Sequence, residues 1–323
     1  MTDIRNQKTT AREVLAALGH GERVAVVGSI NADLTVETEQ LPCPGETVVG
    51  GPLETLPGGK SANQAVTCAL LGTATSFIGA LGDDAHGDLL YQSLRRAGVD
   101  TAGVSRVNQP SGSTLITVDS HGENTIVYSA GANATLNAAS VAAQTEIIRG
   151  AQVLGLCLES PLEAVAAAAT IAREAGVTMA LNFSPITKVP DSLLRLVDVL
   201  IVNEHELAVL AGRPLDSGDA AGLRAALSDL GFERAVLTLG ADGALVLEGG
   251  EFVSVPPFAV AAVDTTGCGD AFMGSLLAAV AAGEPLSRGA CLASAVAGVA
   301  ALRKGAQASY RNAREVREFL DFS

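Results

Sequence analysis

Short apolar runs alternate with helix-like segments along most of the chain. Runs such as "RVAVVGSI" at 23–30 and "TSFIGALG" at 75–82 are apolar at most positions, which predicts strands buried on both faces of a sheet. Further strands are predicted at 151–158, 177–183, 197–203, 234–240, 243–249 and 251–256. Helical periodicity predicts helices at 61–71, 86–96, 161–175, 191–196, 204–211 and 218–230, with two closing helices at 269–282 and 286–302. The alternation predicts a three-layer α/β/α fold with a mostly parallel central sheet.

Two stretches do not fit a buried sheet, because polar and apolar residues alternate in them. They lie at about 33–56 and 113–128, and the second reads as a hairpin turning at His121 and Gly122. We expect them to form a small projecting antiparallel sheet. Residues 1–22 are expected to be an N-terminal extension with one short helix at 11–18, and residues 23–323 a single domain.

The composition narrows the function classes. The 323-residue chain is 48% hydrophobic and 17% charged, and its 35 acidic and 21 basic residues give a net charge of −14. This charge disfavours nucleic acid and anionic membranes as partners, so any phosphate group would be bound locally. Mean hydropathy is +0.33, yet the uncharged run at 289–302 is shorter than the roughly 20 apolar residues of a membrane span.

The cysteines and the N-terminal segment indicate a cytoplasmic protein. The five cysteines are widely spaced and form no C-x-x-C pair, which favours reduced thiols. The first 23 residues mix both charges and contain no apolar core of signal-peptide length. We therefore expect a cytoplasmic location.

The stretch "LPGGKSANQAV", from Leu56 to Val66, contains the Gly-Lys-Ser triplet that ends an ATP-binding phosphate loop. Such a loop also requires a glycine at the position where this chain has Glu54. A carboxylate there opposes phosphate binding and adds a Cβ where the backbone must curl. The sequence therefore argues against a phosphate loop, and the double glycine needs another explanation.

Polar residues cluster where the predicted core strands end, which is where open α/β sheets bind ligands. Carboxylate, amide and ammonium groups converging from three segments suit a polyhydroxylated ligand. Structural alternatives are turn capping by Asn31, a solvated Lys60 and helix capping by Glu159. The cluster comprises Asn31, Asp33, Gly59, Lys60, Asn63 and Glu159.

A second candidate site lies in "VDTTGCGDAF", where a helix is predicted to start near Asp270. Gly267 and Gly269 would leave backbone N–H groups unhindered at the positive helix end, which suits an anion. Beside such an anion hole, Asp270 has the character of a base that takes a hydroxyl proton during phosphoryl transfer. The structural alternative is a simple N-cap carboxylate.

Two further strand ends suit nucleotide binding. In "VNEHE", Glu206 could bind a hydrated Mg²⁺ or simply start a helix. In "LTLGADG", Gly240 and Gly243 could let a phosphate or ribose approach the backbone, or form a β-turn.

Ten motifs in order resemble the ribokinase branch of the ribokinase-like, or PfkB, carbohydrate kinases from residue 23 to residue 322. They are "GSINADL", "PCPGETV", "GGKSANQAV", "IGALGDDAHG", "GENTIVYSAGAN", "LESP", "VNEHE", "LTLGADG", "DTTGCGDAF" and "RKGAQAS". The resemblance implies that the first cluster binds a sugar and that Asp270 activates its primary hydroxyl. The implied anion hole consists of the amides of Gly267, Cys268 and Gly269.

The resemblance also implies cofactors and a partner. The implied Mg-ATP site comprises Asn203, Thr238, Gly240, Gly243, Gly267 and Gly269, with Glu206 binding Mg²⁺ through water. The implied activating K⁺ site comprises Asp264, Thr266, Ala300, Gly305 and Ser309. The projecting strands would close over the sugar as a lid and pair two subunits into a homodimer.

Three positions depart from the family pattern. Ser61 replaces the usual glycine of G-G-K-G-A-N-Q, and Tyr128 stands on the lid strand where a smaller apolar residue is common. Cys268 takes a usual alanine or glycine position, and its thiol offers a route to oxidative inactivation. The departure at Tyr128 bears on sugar identity more than on the reaction.

The leading hypothesis is ATP-dependent phosphorylation of D-ribose at O5. Alternatives are the same chemistry on deoxyribose, fructose or a nucleoside such as pseudouridine, and a sugar-binding sensor without catalysis. Asn31, Asp33 and "KSANQ" favour a free pentose, and eight Phe, three Tyr and no Trp offer little material for a nucleobase slot. A sensor would not need Asp270.

Overall fold

The computed structural model describes residues 4–216 and 218–322. The first three residues of the expected extension, and residues 217 and 323 of the expected domain, therefore lie outside the described residues. The strands are β1 (Arg23–Val27), β2 (Asn31–Glu37), β3 (Glu54–Gly58), β4 (Ala74–Gly82), β5 (Asp100–Val107), β6 (Gly112–Val118), β7 (Asn124–Ser129), β8 (Val153–Cys157), β9 (Thr178–Asn182), β10 (Val199–Asn203), β11 (Arg234–Thr238), β12 (Ala244–Glu248) and β13 (Glu251–Val255). The helices are α1 (Ile4–Ala17), α2 (Lys60–Leu70), α3 (Ala85–Arg96), α4 (Ala138–Ala142), α5 (Thr145–Arg149), α6 (Leu162–Ala175), α7 (Asp191–Leu194), α8 (Glu204–Leu210), α9 (Ala220–Asp229), α10 (Cys268–Ala281), α11 (Leu286–Ala300) and α12 (Ala313–Phe322).

The described residues form a nine-stranded sheet in the order β13-β12-β11-β10-β9-β8-β1-β4-β5. Every pairing from β11 to β5 is parallel, and β12 and β13 add an antiparallel edge. The predicted mostly parallel sheet is confirmed. Because the chain leaves β1 towards β4 and later returns beside it as β8, the carboxyl ends of β1 and β8 flank a topological switch point, where such sheets bind ligands.

Alternate residues of the strands face two separate hydrophobic layers. Val24 and Val26 belong to one hydrophobic cluster with residues of α1, α2, α3, α10, α11 and α12, whereas Ala25 and Val27 belong to a second cluster with residues of α4 to α9. The sheet is thus covered on both faces, which explains why its strands are apolar at nearly every position. No helix within the described ranges is both long and apolar enough to cross a membrane.

A smaller sheet, which we call the lid sheet, has the strand order β3-β2-β6-β7. The pairs β2–β3 and β6–β7 are antiparallel, as expected. The central pair β2–β6 is parallel, because each strand continues after a short loop from a parallel core strand, β1 and β5 respectively. This places β2 and β6 side by side over the carboxyl edge of the main sheet.

The structure contains elements that periodicity did not predict. β5 is an edge strand whose residues are mostly exposed or half-buried, and polar residues interrupt its sequence, so it lacks the apolar run of a buried strand. The expectation that two helices close the chain is wrong, since α12 follows α11. The helix expected at 11–18 begins earlier, at Ile4, and its residues Ala11 and Val14 are fully buried in the same core as α11 and α12.

Candidate active site

The carboxylate of Glu159 gathers donors from three chain segments at the switch point. Its Oε2 accepts hydrogen bonds from the Ser29 hydroxyl, from Asn31 Nδ2 at 3.4 Å and from the Lys60 backbone amide at 3.0 Å. Ser29 and Asn31 follow β1, Lys60 begins α2 and Glu159 follows β8. The structure therefore brings together the strand-end residues that the sequence singled out, and Glu159 does not cap the following helix, whose N-cap is Pro161.

One of the two glycines before α2 allows a close approach of two backbones. Gly59 is the N-cap of α2 with φ +91°, a conformation that favours glycine. A Cβ at this position would stand 2.7 Å from Ile30 Cα and 2.8 Å from Asn31 N. Gly59 thus lets the start of α2 lie directly against the segment that carries the polar side chains after β1.

Asp33 is the acidic residue of the lid sheet that faces this cluster. It lies on β2 and accepts a hydrogen bond from the hydroxyl of Thr114 on the neighbouring strand β6. Burial raises the pKa of Asp33 to about 6, with smaller contributions from the negative charges of Glu159 and Asp270. Its carboxyl group therefore changes charge close to physiological pH.

Asp270 is held by two amides from α2. Asn63 Nδ2 donates to Asp270 Oδ2 at 2.9 Å, and Gln64 Nε2 donates to Asp270 Oδ1 at 3.3 Å. Asp270 lies in the first turn of α10, whose N-cap is Gly267, so the N-cap alternative for Asp270 is wrong. Burial raises the pKa of Asp270, although the nearby Lys60 ammonium and the two amide donors oppose the rise.

Lys60 supplies positive charge between the two carboxylates. Burial alone would lower the pKa of Lys60, but the negative charges of Asp270 and Glu159 outweigh it and raise the pKa. The ammonium group is thus charged at neutral pH and largely buried. This excludes the alternative of a freely solvated helix-start lysine.

The start of α10 has the geometry of an anion site, although one of its backbone amides, that of Cys268, is already hydrogen-bonded within the protein. Gly267 has φ +75°, and its carbonyl accepts from the Tyr310 hydroxyl at 2.9 Å. The Cys268 amide donates to the Thr265 carbonyl at 3.2 Å, and the first bond within the helix runs from Ala271 N to Gly267 O. The amides of Gly269 and Asp270 precede that bond and lack acceptors inside the helix.

Asp264 ties the loop before α10 to the loop after α11. Its Oδ1 accepts from the amide and the hydroxyl of Thr266 at 2.9 and 2.7 Å, and its Oδ2 accepts from the Gly305 amide at 2.8 Å. These hydrogen bonds outweigh partial burial and lower the pKa of Asp264. Ser309, also expected near this loop, is fully buried and donates to the Ala306 carbonyl.

The expected nucleotide residues lie at the ends of β10 and β11. Asn203 and Glu206 form a capping box at the start of α8, each side chain accepting from the other's backbone amide at 2.8 Å. Thr238 pairs in register with Asn203 on the neighbouring strand. Gly243 has φ +91°, and a Cβ there would lie 2.2 Å from the Val255 carbonyl oxygen, so it is required by the turn. Within the described ranges, no three or more His, Cys, Asp or Glu residues are grouped to bind a metal.

Comparison with known proteins identifies the family. The profile of the pfkB family carbohydrate kinases matches residues 22–313. The chain belongs to the pfkB family of carbohydrate kinases. The resemblance and the kinase class predicted from the ten motifs are therefore confirmed.

Relatives of this pfkB kinase include proteins named for two pentoses. This chain is 35% identical to the ribokinase of Haemophilus influenzae, in an alignment that covers 92% of this chain and 98% of the relative. It is 33% identical to the deoxyribokinase of Salmonella typhi, covering 93% and 99%. Among solved structures, Arabidopsis thaliana ribokinase complexed with ribose and ATP has a TM-score of 0.85 and 34% identity, covering 94% of this chain and all of that chain. Thermotoga maritima ribokinase also has a TM-score of 0.85, with 30% identity, covering 93% and 99%.

Three polar residues that contact the clusters at Asn31 and Asp270 were not among the site residues predicted from the sequence. Gln64 contacts Asp270, and Gln307 donates to Asn63 Oδ1 at 3.0 Å. Asn133 donates to Asn31 Oδ1 at 2.7 Å and accepts from the Ile30 amide at 3.1 Å. All three stand inside motifs that carried the resemblance, so the motifs located them, but no local pattern distinguished them from structural amides.

Two of the departures from the family pattern occupy defined places in the kinase. Ser61 is fully buried behind the site, where its hydroxyl lies 3.0 Å from Cys157 Sγ and its side chain fills the space beside Gly28. Tyr128, on β7 of the lid sheet, reaches the cluster and donates to the Glu159 carbonyl at 3.2 Å. Of these two departures, Tyr128 is thus the one at the mouth of the site.

Proposed function

We propose that the protein transfers the γ-phosphoryl group of ATP to O5 of D-ribose, giving ribose 5-phosphate and ADP. The observation that carries the proposal is the Asp270 carboxylate, held by Asn63 and Gln64 at the N-terminus of α10. It lies where a base is needed beside an anion site. The names of the ribokinase relatives, and the solved ribokinase with ribose and ATP, support ribose as the acceptor.

The polar cluster suits the recognition of the sugar hydroxyl groups. A carboxylate accepts a hydrogen bond from a hydroxyl, whereas an amide or an ammonium donates one to it. Asp33 and Glu159 supply carboxylates, and the side-chain amides of Asn31 and Asn63 and the ammonium group of Lys60 supply donors. This arrangement would orient a small polyol with its primary hydroxyl towards Asp270.

Asp270 would accept the proton of that hydroxyl as the oxygen attacks the γ-phosphorus. The burial that raises its pKa makes it a stronger base than an exposed aspartate, and Lys60 keeps it ionised. The free first-turn amides and the dipole of α10 would stabilise the negative charge that develops on the phosphoryl oxygens. Since the Cys268 amide donates to the Thr265 carbonyl, we assign this work to the first-turn amides of Gly269 and Asp270 and to the N-cap amide of Gly267.

The cation requirements are part of the proposal. Mg²⁺ usually binds phosphates and water with few protein carboxylates, and Glu206 would contact it through water because its Oε2 is used in the capping box. A Mg²⁺ ion held there would neutralise phosphate charge. The oxygen-rich loop of Asp264 and Ser309, with backbone carbonyls at Thr266, Ala300 and Gly305, has the hard donors that K⁺ prefers.

2-Deoxyribose is the second candidate acceptor. The deoxyribokinase relative is nearly as similar as the ribokinase relatives, and Tyr128 narrows the mouth of the site with its hydroxyl. Fructose and nucleosides follow as further alternatives of the same chemistry. A sensor without catalysis is the least supported alternative, because the buried Asp270 is costly to retain where no base is needed.

We also propose a homodimer through the lid sheet. Leu115 on β6 pairs with Val127 on β7, so the two side chains lie on one face of the lid sheet, where they are 56% and 62% exposed. Apolar side chains grouped this way mark an interaction surface.

The five described cysteines are free, which supports a cytoplasmic location.

The deciding experiment measures ADP release by purified protein with Mg-ATP against ribose, 2-deoxyribose, fructose, adenosine and pseudouridine, each with and without K⁺. We expect ribose to give the highest kcat/KM and K⁺ to raise it. Turnover on 2-deoxyribose instead would support the same phosphoryl transfer with a different acceptor sugar. No turnover on any acceptor would overturn the proposal.

A variant in the same assay tests the base. Asp270→Asn keeps the shape and the burial but cannot take a proton, so we expect kcat to fall by about 10²- to 10⁴-fold. Sugar binding measured by calorimetry should persist. Unchanged turnover would show that Asp270 is not the base.

A further inference from the structure

A chain of hydrogen bonds reaches Asp270 from the far side of Asn63. Ser93 Oγ on α3 donates to Gln307 Oε1 at 2.8 Å, and Gln307 Nε2 donates to Asn63 Oδ1 at 3.0 Å. Asn63 Nδ2 then donates to Asp270 Oδ2 at 2.9 Å. Gln307 lies in the loop between α11 and α12, far from the polar cluster in sequence, and has no direct contact with Asp270 among the described hydrogen bonds.

The direction of this chain is fixed by chemistry. An ionised carboxylate accepts and cannot donate, so Asn63 must turn its NH₂ group towards Asp270 and its oxygen away from it. The oxygen then requires a donor, which Gln307 supplies with its own NH₂ group. Asn63 is only 4% exposed. Without Gln307, its side-chain oxygen would therefore be buried and would lose the hydrogen bond that Gln307 donates, which is unfavourable.

We propose that Gln307 is a positioning residue for the reaction, which holds Asp270 in its productive place by fixing the orientation of the Asn63 amide. This inference rests on the proposed function of Asp270 as the base. Without Gln307, Asn63 is free to rotate its oxygen towards the carboxylate, which would repel Asp270 and weaken the hydrogen bond that stabilises its ionised form. The loop after α11, whose Gly305 amide binds Asp264, is thereby joined to the reacting end of the site.

The kinetic test compares two variants and their combination. Gln307→Met keeps the length of the side chain but removes the donor, and we expect kcat to fall about tenfold, with the sugar KM changed by less than about twofold. In an Asn63→Ala background the same substitution should lower kcat by less than about twofold, since the route through Asn63 is already gone. A tenfold fall in both backgrounds, or none in the wild-type background, would overturn the inference.

A matched control tests whether replacing any glutamine of this region would lower kcat. Gln92, exposed on α3 next to Ser93, offers the same chemical change outside the chain of hydrogen bonds. We expect Gln92→Met to leave kcat unchanged. An equal effect of Gln92→Met and Gln307→Met would contradict the positioning role.

A second measurement needs no substrate and separates this inference from the proposed function. The carboxyl carbon of Asp270 can be followed by NMR with labelled aspartate, assigned with Asp270→Asn, and titrated in the wild type and in Gln307→Met. We expect a higher pKa of Asp270 in Gln307→Met, because its ionised form loses a fixed donor. An equal pKa in both proteins would overturn the inference. A wild type without kinase activity would count against the proposed function alone.

The titration of Asp270 also depends on the other titratable groups that face it. None of them is altered by Gln307→Met, so they contribute equally to both titrations. They are Lys60 at the start of α2, Glu159 after β8, Asp33 on the lid sheet, Cys268 on α10 and Tyr310 before α12.

Discussion

Asp33 and Gly58 fit together without room for a side chain between them. A Cβ on Gly58 would stand 1.9 Å from Asp33 Oδ2, closer than any non-bonded contact allows. The two residues pair diagonally across β2 and β3 at the edge of the polar cluster. The first glycine of the Gly-Gly-Lys sequence thus makes space for the Asp33 carboxylate, and the second allows the backbone approach of α2.

Gly58→Ala should therefore damage sugar binding more than folding. The added methyl group must push the Asp33 carboxylate out of place, and we expect the sugar kcat/KM to fall about 10- to 100-fold, consistent with loss of a charge-assisted hydrogen bond. The ATP KM should stay within about twofold of the wild type. Gly51→Ala is the matched control, because a Cβ there would meet only the Glu37 carbonyl oxygen at 3.6 Å. Equal sugar kinetics for both variants would contradict the fit described above.

Sugar affinity should depend on pH through Asp33. Its pKa of about 6 means that the carboxylate becomes protonated as the pH falls from 7 to 5 and then loses acceptor capacity for sugar hydroxyls. We expect the sugar KM of the wild type to rise over this range. In Asp33→Asn the KM should be high throughout and flat. A flat KM in the wild type would show that Asp33 does not contact the sugar in its charged form.

The same pKa predicts a stability effect with a definite sign. Between pH 4 and 6 the folded protein holds a proton on Asp33 that the unfolded chain has released, so the free energy of unfolding falls as the pH rises through this window. Asp33→Asn should be more stable than the wild type above pH 6, by roughly 1–3 kcal/mol, and equally stable below pH 4. Urea denaturation at both pH values measures the difference.

The core sheet and the main clusters could be predicted from sequence because their signals are local. An apolar run such as that at β1 predicts a strand buried on both faces, and polar residues after it lie at the ligand edge for topological reasons. The polar edge strand β5 gave no such signal. The parallel pairing of β2 with β6 could not be predicted, because it depends on two core strands far apart in the chain.

The contacts between helices show a second limit of sequence reading. Asp270 on α10 and Gln64 on α2 lie 206 residues apart, and they meet because Gly274 lets the two helices pack closely. A Cβ on Gly274 would stand 2.5 Å from the Gln64 carbonyl oxygen. The hydrophobic periodicity of the sequence does not reveal that helix pairing. Gln64 and Gln307 therefore cannot be distinguished from purely structural amide side chains by sequence alone.

Asp264 should govern activation by K⁺. Asp264→Asn keeps a hydrogen-bonding group in the loop but removes the negative charge, which we expect to raise the K⁺ concentration for half-maximal activity at least tenfold. Turnover without K⁺ should change little. Asp242→Asn, on an exposed turn after β11, is the control and should leave the K⁺ curve in place. Identical K⁺ curves for wild type and Asp264→Asn would exclude Asp264 as the cation ligand.

The Cys268 thiol should be unreactive despite its position in the anion site. Burial, with the negative charges of Asp264 and Asp270, raises the pKa of Cys268 to about 11. At pH 7.5 roughly one thiol in 3,000 is then ionised, and the thiolate is the reactive form. The structure thus argues against the oxidative route expected from sequence. Cys43, by contrast, is exposed on the loop between β2 and β3.

Alkylation with iodoacetamide at pH 7.5, followed by peptide mapping, tests this directly. We expect Cys43 to be modified first and kinase activity to persist while Cys268 stays unmodified. Cys43→Ser should remove the fast phase of modification without changing kcat. Rapid inactivation that Cys268→Ala prevents would mean that the thiol is ionised in the folded protein, and that the helix end stabilises the thiolate more than the two carboxylates oppose it.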